Sequence, residues 1–354
     1  MTAVLQPGAD PGGADHYLWC TPDTVTWGTL PTPRTTPILT VDSGQTITFD
    51  TVSQEGLMED QGRDPIGYFA QHGVSRQHVL ADAVELAASN LRRGTPPAGP
   101  HVVLGPVRVR GAQPGDWLRV DFLQLTPRVP YGVISSRHGR GALPVDLPRE
   151  SDGSTPAVFS RFCPLDGLSR RAEFPYSGGS LPIQVRPFMG LCGVTPRGEE
   201  PRGTIEPGRF GGNMDLREIY SGTSLYLPVQ CEGAGFYLGD PHFAQGNGEI
   251  ALTALEGSLR VTVRLSLAKP ILASQALWPF AETDTHWVIL GMDANLDEAM
   301  RICAENSVAF LAGHTGMTPS EAYLYLSAAG DFSVTQVVDV VKGIHCAIPK
   351  VDTA

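Results

Sequence analysis

Residues 257–267, with the sequence GSLRVTVRLSL, give the clearest structural signal in the chain. Apolar side chains alternate with arginine, threonine and serine, which is the two-residue period of a β-strand with one buried face. The 40 glycines and 30 prolines of the 354 residues are dispersed between short apolar runs, and 42% of the residues are hydrophobic. Dispersed Gly and Pro end many short elements. The sequence therefore predicts a folded, loop-rich β protein and excludes a long-helix bundle.

Two other stretches resemble β-hairpins. Residues 37–49 carry two β-rich arms around Asp-Ser-Gly, and residues 107–123 carry two around Gln-Pro-Gly-Asp, a type II turn sequence. Residues 130–180 show no clear period and are predicted to be an extended loop or insertion. Residues 1–15, rich in Gly, Pro and Asp, are predicted to be a flexible tail.

Helical signals concentrate near the C-terminus. Apolar residues recur at helical spacing over 296–311, and TPSE at 318–321 is a capping box that opens a helix to about Ala328. Val74–Arg92 is the one good helix predicted before residue 290, and 334–341 is predicted to be a strand or a further helix. We therefore predict an α+β, mainly β fold. A β-sandwich or barrel-like body (16–295) carries an α-helical C-terminal part (296–354) within a single domain, 16–354.

The charge balance limits the partners. There are 26 basic and 37 acidic residues, a net charge of −11, so nucleic acid and anionic membrane surfaces are not expected partners. The six cysteines are scattered without a CxxC pair and are expected to be small apolar side chains. The first residues lack the basic and apolar regions of a signal peptide, so a cytoplasmic location is expected.

The densest group of polar residues lies between 211 and 256. Asp240, His242, Glu249 and Glu256 fall within seventeen residues, separated by Gly and Pro, after an apolar segment. Carboxylate and imidazole groups are ligands for a divalent metal such as zinc. Alternatively, Asp240 begins a turn, and the other three are ordinary surface groups. Spacing alone leaves both interpretations open.

Five blocks of sequence, in a fixed order, add independent information. They are HVVLGPV at 101–107, GAQPGD at 111–116, PFMGLCGV at 187–194, GGNMD at 211–215 and GDPHFAQGNGE at 239–249. Together they resemble the acetamidase/formamidase family, over roughly residues 37–345. The resemblance implies a mainly β fold with an α-helical C-terminal part. It also implies a metal-associated homo-oligomer that hydrolyses C–N bonds of small linear amides such as formamide or acetamide, releasing ammonia and a carboxylic acid.

The chain departs from the family pattern at two places. Asn247 stands where the family's last block has Asp, and the stretches 61–92 and 131–139 are longer than in compact members. Loops of this kind can reshape a substrate pocket.

Other amidase mechanisms fit the residues poorly. Cys-Glu-Lys and Ser-Ser-Lys triads need a lysine, and only Lys269, Lys342 and Lys350 are present. Lys269 precedes Cys303 in the required order, but Cys303 lies on the apolar stripe of a predicted helix. No G-x-S-x-G elbow occurs. A metal-activated water is therefore the predicted nucleophile.

Each polar residue then receives a predicted role. Asp240 and His242, with Asp215 or Glu256, are predicted to hold the ion; zinc is expected and calcium is the alternative. His101 is a further candidate ligand from its place in the first block, or else a core histidine. The predicted catalytic residues are Glu249, as general base, and His242, and the predicted substrate-binding residues are Asn213 and Gln245.

Two other function classes stay open from the sequence. One is a metal-dependent oxygenase or decarboxylase on a β scaffold, which would need a second histidine ligand and a redox-active metal. The other is a non-catalytic β-rich binding protein in which the Asp-His-Glu loop is structural.

Overall fold

The computed structural model describes residues 4–9, 12–91, 93–94, 98–166, 170–268 and 278–350. Within these ranges the helices are α1 (Pro65–Ala70), α2 (Ala81–Ala88), α3 (Leu296–Thr315) and α4 (Pro319–Ala329). The strands of the first half are β1 (His16–Trp19), β2 (Val25–Trp27), β3 (Leu39–Val41), β4 (Thr46–Asp50), β5 (Val102–Val109), β6 (Trp117–Pro127), β7 (Tyr131–Arg137), β8 (Val158–Asp166), β9 (Arg171–Tyr176) and β10 (Gly179–Gln184). Those of the second half are β11 (Phe188–Val194), β12 (Gly211–Asn213), β13 (Ser224–Pro228), β14 (Phe236–Ala244), β15 (Leu255–Glu256), β16 (Leu259–Ala268), β17 (Phe280–Glu282), β18 (His286–Asp293), β19 (Asp331–Gln336) and β20 (Lys342–Pro349).

These strands form two large sheets. Sheet A has the order β1-β4-β16-β6-β13-β17-β18-β20-β19. Sheet B has the order β10-β9-β8-β7-β15-β14-β11-β12, and β5 joins it by pairing with β14, β2 and β3. The strand predicted from residues 257–267 is β16, which lies between β4 and β6. Its Leu259, Val261, Val263 and Leu265 are fully buried, as their alternation predicts.

The main core lies between the two sheets, where Phe49 of β4 meets Phe236 of β14 with ring centroids 6.0 Å apart. A second core lies on the other side of sheet A, where α3 and α4 cover it with Cys303, Phe310 and Leu326. Gly291 of β18 permits this contact, since a Cβ there would lie 2.2 Å from the backbone N of Cys303. The predicted fold class, a mainly β body with an α-helical C-terminal part, is confirmed.

Both predicted hairpins are wrong. In the first, β3 pairs with β5 in sheet B, whereas β4 pairs with β1 and β16 in sheet A. In the second, β5 belongs to sheet B and β6 to sheet A. The turn at 113–116 forms as predicted, with the Asp116 N–H donating to Gln113 O. Each turn is a corner where the chain crosses between sheets, because turn residues fix the local reversal but not the strand's partner.

The region 130–180 is also corrected: it holds β7, β8, β9 and the start of β10. The side chains of β10 are largely exposed and those of β9 are mostly half-buried, so these strands lack the clear apolar alternation that predicts a strand with one buried face. The helix predicted at 74–92 is shorter, since α2 begins at Ala81 after a short 3₁₀ turn. The stretch 334–341 is a strand only to Gln336.

The helices of the C-terminal part begin where the sequence predicts. The Thr318 side chain accepts from the Glu321 N–H and the Glu321 carboxylate accepts from the Thr318 N–H, which is the predicted capping box. At the other end, described residues of the predicted tail contact the body: Leu5 N–H donates to Arg128 O, and Gln6 binds the backbone of Val79 and Ala81. Among the described residues, no helix is long and apolar enough to cross a membrane.

Candidate active site

Strand β14 supplies the centre of the site. Asp240 and His242 are two residues apart, so their side chains leave the same face of the strand. His242 Nε2 lies 3.0 Å from Asp240 Oδ2 and 3.2 Å from Glu256 Oε1. Glu256 reaches this position because β15 pairs with β14 and places it opposite His242. All three side chains are buried.

The family-like block at 211–215 brings two more polar residues to the same place. Asp215 follows β12, and its N–H donates to Gly190 O on β11. The Asn213 amide Nδ2 donates to Asp215 Oδ2 at 3.3 Å, which leaves Asn213 Oδ1 as an unused acceptor. Asn213 and Asp215 are both buried.

Glu249 arrives on the loop after β14, and β19 fixes that loop. The Gly248 N–H donates to Thr335 O, and the Val337 N–H donates to Gly248 O. Gln245 does not line the cavity described below; its Nε2 donates to the backbone oxygens of Asp215 and Thr335. This position favours a loop-bracing role for Gln245 over the substrate contact expected from the sequence.

His101 lies at the edge of the group. Its Nδ1 is within hydrogen-bond distance of Thr204 Oγ1 at 2.9 Å, and its Nε2 lies 3.7 Å from Asp240 Oδ2. His101 is buried and also lines the cavity. It is therefore near the other predicted ligands, with Thr204 setting the orientation of its ring.

Sequence reasoning missed Asp339, which lies in the turn between β19 and β20. It is buried, lines the cavity and lies close enough to Asp215 for the charge of Asp215 to raise its pKa. Its neighbours in sequence, Val338 and Val340, are apolar, and no family-like block covers it. The one available signal was an isolated acidic residue in an apolar run. With Asp339, the site holds a carboxylate cluster of five residues: Asp215, Asp240, Glu249, Glu256 and Asp339.

Gly190 on β11 was missed as a site residue, although it lies in a block quoted above. A Cβ at this position would lie 2.6 Å from Asp215 Oδ1, 2.6 Å from His242 Cε1 and 2.7 Å from Asp240 Oδ2. The missing side chain therefore provides the space in which these three residues converge.

The backbone of the cluster is unusual as well. Asp215, Asp240 and Glu249 have φ values of 49°, 52° and 44°, in the left-handed region that non-glycine residues seldom occupy. Residues held in such conformations cost about 1–3 kcal/mol each and concentrate at functional sites. Three residues with this backbone conformation in one cluster indicate that the fold holds their side chains in a particular orientation.

The pKa values of the carboxylate cluster are shifted because several acidic groups are buried close together. Burial raises the pKa of Glu256 to about 8, and it raises the pKa of Asp215. Burial and then the charge of Asp215 raise the pKa of both Glu249 and Asp339 well above their usual values. Protein groups alone therefore do not neutralise the carboxylate cluster.

His242 and Asp240 shift differently. Burial would lower the pKa of His242, but Glu256 and Asp240 together raise it well above its usual value. Burial would raise the pKa of Asp240, but His242 and His101 lower it below its usual value. Asp240 is the member of the cluster that stays ionised most readily.

The cluster has unused ligand atoms. Buried oxygens without a hydrogen-bond partner among the described residues are Asn213 Oδ1, Asp215 Oδ1, Asp240 Oδ1, Glu249 Oε2, Glu256 Oε2 and Asp339 Oδ2. Two triads have ligand atoms within 4.8 Å of one another: Asp215 with His242 and Glu249, and Asp240 with His242 and Glu256. Mixed imidazole and carboxylate ligands are the donor set of zinc and related divalent ions.

The carboxylate cluster lines a cavity of about 190 Å³. The rest of the wall includes residues 54, 55, 58, 98–101, 205, 252, 253 and 338, and the guanidinium-bearing Arg93, Arg137 and Arg140. A small molecule in this cavity would meet acidic, amide and guanidinium groups. The arrangement has the form of a binding site with a reactive centre.

Known proteins are similar to this chain in sequence and in fold. The model of the Acetamidase/Formamidase family matches residues 193–351. A putative formamidase from Schizosaccharomyces pombe is 30% identical over 48% of this chain and 52% of its own. An acetamidase from Mycolicibacterium smegmatis is 28% identical over 42% of this chain and 49% of its own. The chain thus spans about half the length of the curated relatives it matches.

Solved structures extend the likeness over nearly the whole chain. An acetamidase from Bacillus halodurans superposes with a TM-score of 0.71 at 27% identity, covering 94% of this chain and 97% of that one. An acetamidase from Yersinia enterocolitica has a TM-score of 0.74 at 24% identity, covering 97% and 94%, which shows the shared fold alone. The resemblance to the acetamidase/formamidase family recognised in the sequence is confirmed by these matches.

Proposed function

We propose that the protein is an amidase that hydrolyses the C–N bond of small linear amides, releasing ammonia and a carboxylic acid. One observation carries the proposal: a buried carboxylate cluster around His242, with unused oxygens, lines a cavity in a chain that resembles acetamidases and formamidases. A structural role does not require unpaired buried carboxylates, since burying such groups costs free energy.

We further propose that Asp240 and His242, with Asp215 and Glu256, hold a divalent cation. The unpaired oxygens and the raised pKa values of Asp215 and Glu256 fit a site whose charge is completed by a cation. The imidazole of His242 favours zinc over calcium, which prefers all-oxygen sites. When bound, such an ion would lower the pKa of a coordinated water and polarise the amide carbonyl. His101 Nε2 is a further candidate ligand.

The remaining chemistry belongs to the chain's own residues. Glu249 Oε2 has no hydrogen-bond partner among the described residues, and Glu249 lines the cavity. We assign it the transfer of a proton from the attacking water to the leaving nitrogen, and its raised pKa suits a group that must hold that proton between the two steps. Asn213 Oδ1 is free to accept from the substrate's N–H₂ group. A homo-oligomeric state and a cytoplasmic location stay predictions from the sequence.

The proposal is tested by ammonia release from formamide, acetamide and longer primary amides, together with metal analysis of the purified protein. His242→Ala should lower kcat/KM at least about 100-fold and reduce bound metal, because it removes the residue shared by both triads. His286→Ala, a change on the distant strand β18, is the matched control. A folded protein that holds no metal and releases no ammonia from any of these amides would contradict the proposal.

A further inference from the structure

The wall of the cavity carries charges of both signs. It includes the carboxylate cluster and the buried Glu55, and it also includes three arginines, Arg93, Arg137 and Arg140. A primary amide bound at the carboxylate cluster does not account for the arginines, which therefore need a separate explanation.

Two of these arginines are already paired. Arg137 Nε donates to Asp60 Oδ2 at 2.8 Å, and its Nη1 donates to Ser135 Oγ at 3.1 Å. Arg93 Nη2 lies 3.4 Å from Glu59 Oε2. These carboxylates balance the charges of Arg93 and Arg137 and hold the two side chains in place.

Arg140 differs from the other two arginines. It lines the same cavity, but across the described ranges no carboxylate pairs with its guanidinium. Its backbone is fixed beside Arg137, because the Arg140 N–H donates to Arg137 O, and the preceding Gly139 N–H donates to Pro144 O. Arg140 is exposed to solvent, and the loop thus leaves its guanidinium available to a ligand in the cavity.

The size of the cavity agrees with a longer ligand. A cavity needs about 10–15 Å³ of such space to hold one water molecule, so about 190 Å³ has room for a ligand many times larger than a water. Formamide has only three non-hydrogen atoms and acetamide four. Apolar side chains of Met58, Leu252 and Val338 also line the wall, and they are suited to contact methylene groups.

We propose that the part of the cavity wall formed by Arg140 is a subsite for a carboxylate at the far end of the substrate's acyl chain, with Arg140 as the residue that binds it. The substrate class is then a primary monoamide of a short dicarboxylic acid. This inference rests on the proposed amidase function. Guanidinium groups bind carboxylates through paired, charge-assisted hydrogen bonds. A substrate whose acid group is held by Arg140 presents its neutral amide to the carboxylate cluster.

The test compares two series of primary amides of equal chain length, one ending in a methyl group and one in a carboxylate. We expect the wild-type protein to favour the carboxylate series in kcat/KM, chiefly through a lower KM, with a preference that weakens as ionic strength rises. Arg140→Ala should reduce the ratio between the series about tenfold, and Arg140→Lys should reduce it less. Arg149→Ala is the matched control, since Arg149 lines a neighbouring cavity and not this one.

Binding of the carboxylate-bearing amides, measured by calorimetry, separates the two proposals. Binding that depends on Arg140 without any ammonia release would refute the amidase function and leave the anion subsite standing. Amide hydrolysis with no preference between the series, or a preference that Arg140→Ala leaves unchanged, would overturn the subsite and leave the amidase function standing.

Discussion

Gly190→Ala tests whether the space between strands is part of the site. The added Cβ would lie 2.6–2.7 Å from atoms of Asp215, His242 and Asp240, whereas ordinary contact begins near 3.4 Å. Each of the three would therefore have to retreat by about 0.7–0.8 Å. Metal–ligand distances tolerate about 0.2 Å, and a misplacement of about 1 Å at a reacting centre costs about 100-fold in rate.

We therefore expect Gly190→Ala to lower kcat/KM for primary amides by about 100-fold and to lower metal content. Crowding one methyl group into a packed site should cost about 1–3 kcal/mol of folding free energy, so the variant should still fold. Gly246→Ala is the control on the same site, because a Cβ at Gly246 meets no atom within 4 Å. Circular dichroism and thermal unfolding show whether each variant is folded. A folded Gly190→Ala protein with kcat/KM within twofold of wild type would refute the reasoning.

Two further predictions concern stability. Arg128 is fully buried and donates to Asp82 at 2.7 Å. Arg128→Met leaves the buried Asp82 without its charge partner, whereas Asp50 keeps its ion pair with Arg260, and the change should cost about 3–5 kcal/mol in urea unfolding; unchanged stability would contradict this. Burial lowers the pKa of His345 to about 4, below its unfolded value of about 6.5. The folded state with neutral His345 is therefore fully stable above pH 6.5, and it loses stability relative to the unfolded state as the pH falls toward 4. At pH 5 that loss is on the order of 2 kcal/mol. The melting temperature of His345→Asn should therefore drop less between pH 7 and pH 5 than that of the wild-type protein. An equal drop in the two proteins would exclude His345 as the source of the pH dependence.

The sequence predicted those parts of the fold that rest on side-chain periodicity. The strand β16 and the helices α3 and α4 each bury one face, and burial imposes a period that can be read directly. The strands β9 and β10 bury little and are held by backbone hydrogen bonds to each other, so their sequence carries no such period. The two false hairpins show the limit of turn residues, which specify a reversal but not the sheet that each arm joins.

The site was predictable to the extent that its residues are close in sequence. Asp240, His242 and Glu256 could be grouped because a single short strand pair carries them. Asp339 could not, since tertiary packing alone brings its turn next to Asp215. Gly190 contributes space and no side chain, and a pattern of residue types in the sequence does not identify such a position as part of a site.

The position of Asp339 has a consequence for how the protein reaches its active form. The turn that carries it joins β19 to β20, and β20 pairs with β18 near the end of the chain. Strands far apart in sequence, such as β6 and β16, must also pair before the two sheets can close. Asp339 therefore joins the other four carboxylates only in molecules whose β19–β20 turn is packed against the body. The repulsion between Asp339 and these carboxylates opposes that packing. Replacing Asp339 with Asn should accordingly make the docking of β20 more favourable, as a higher melting temperature would show.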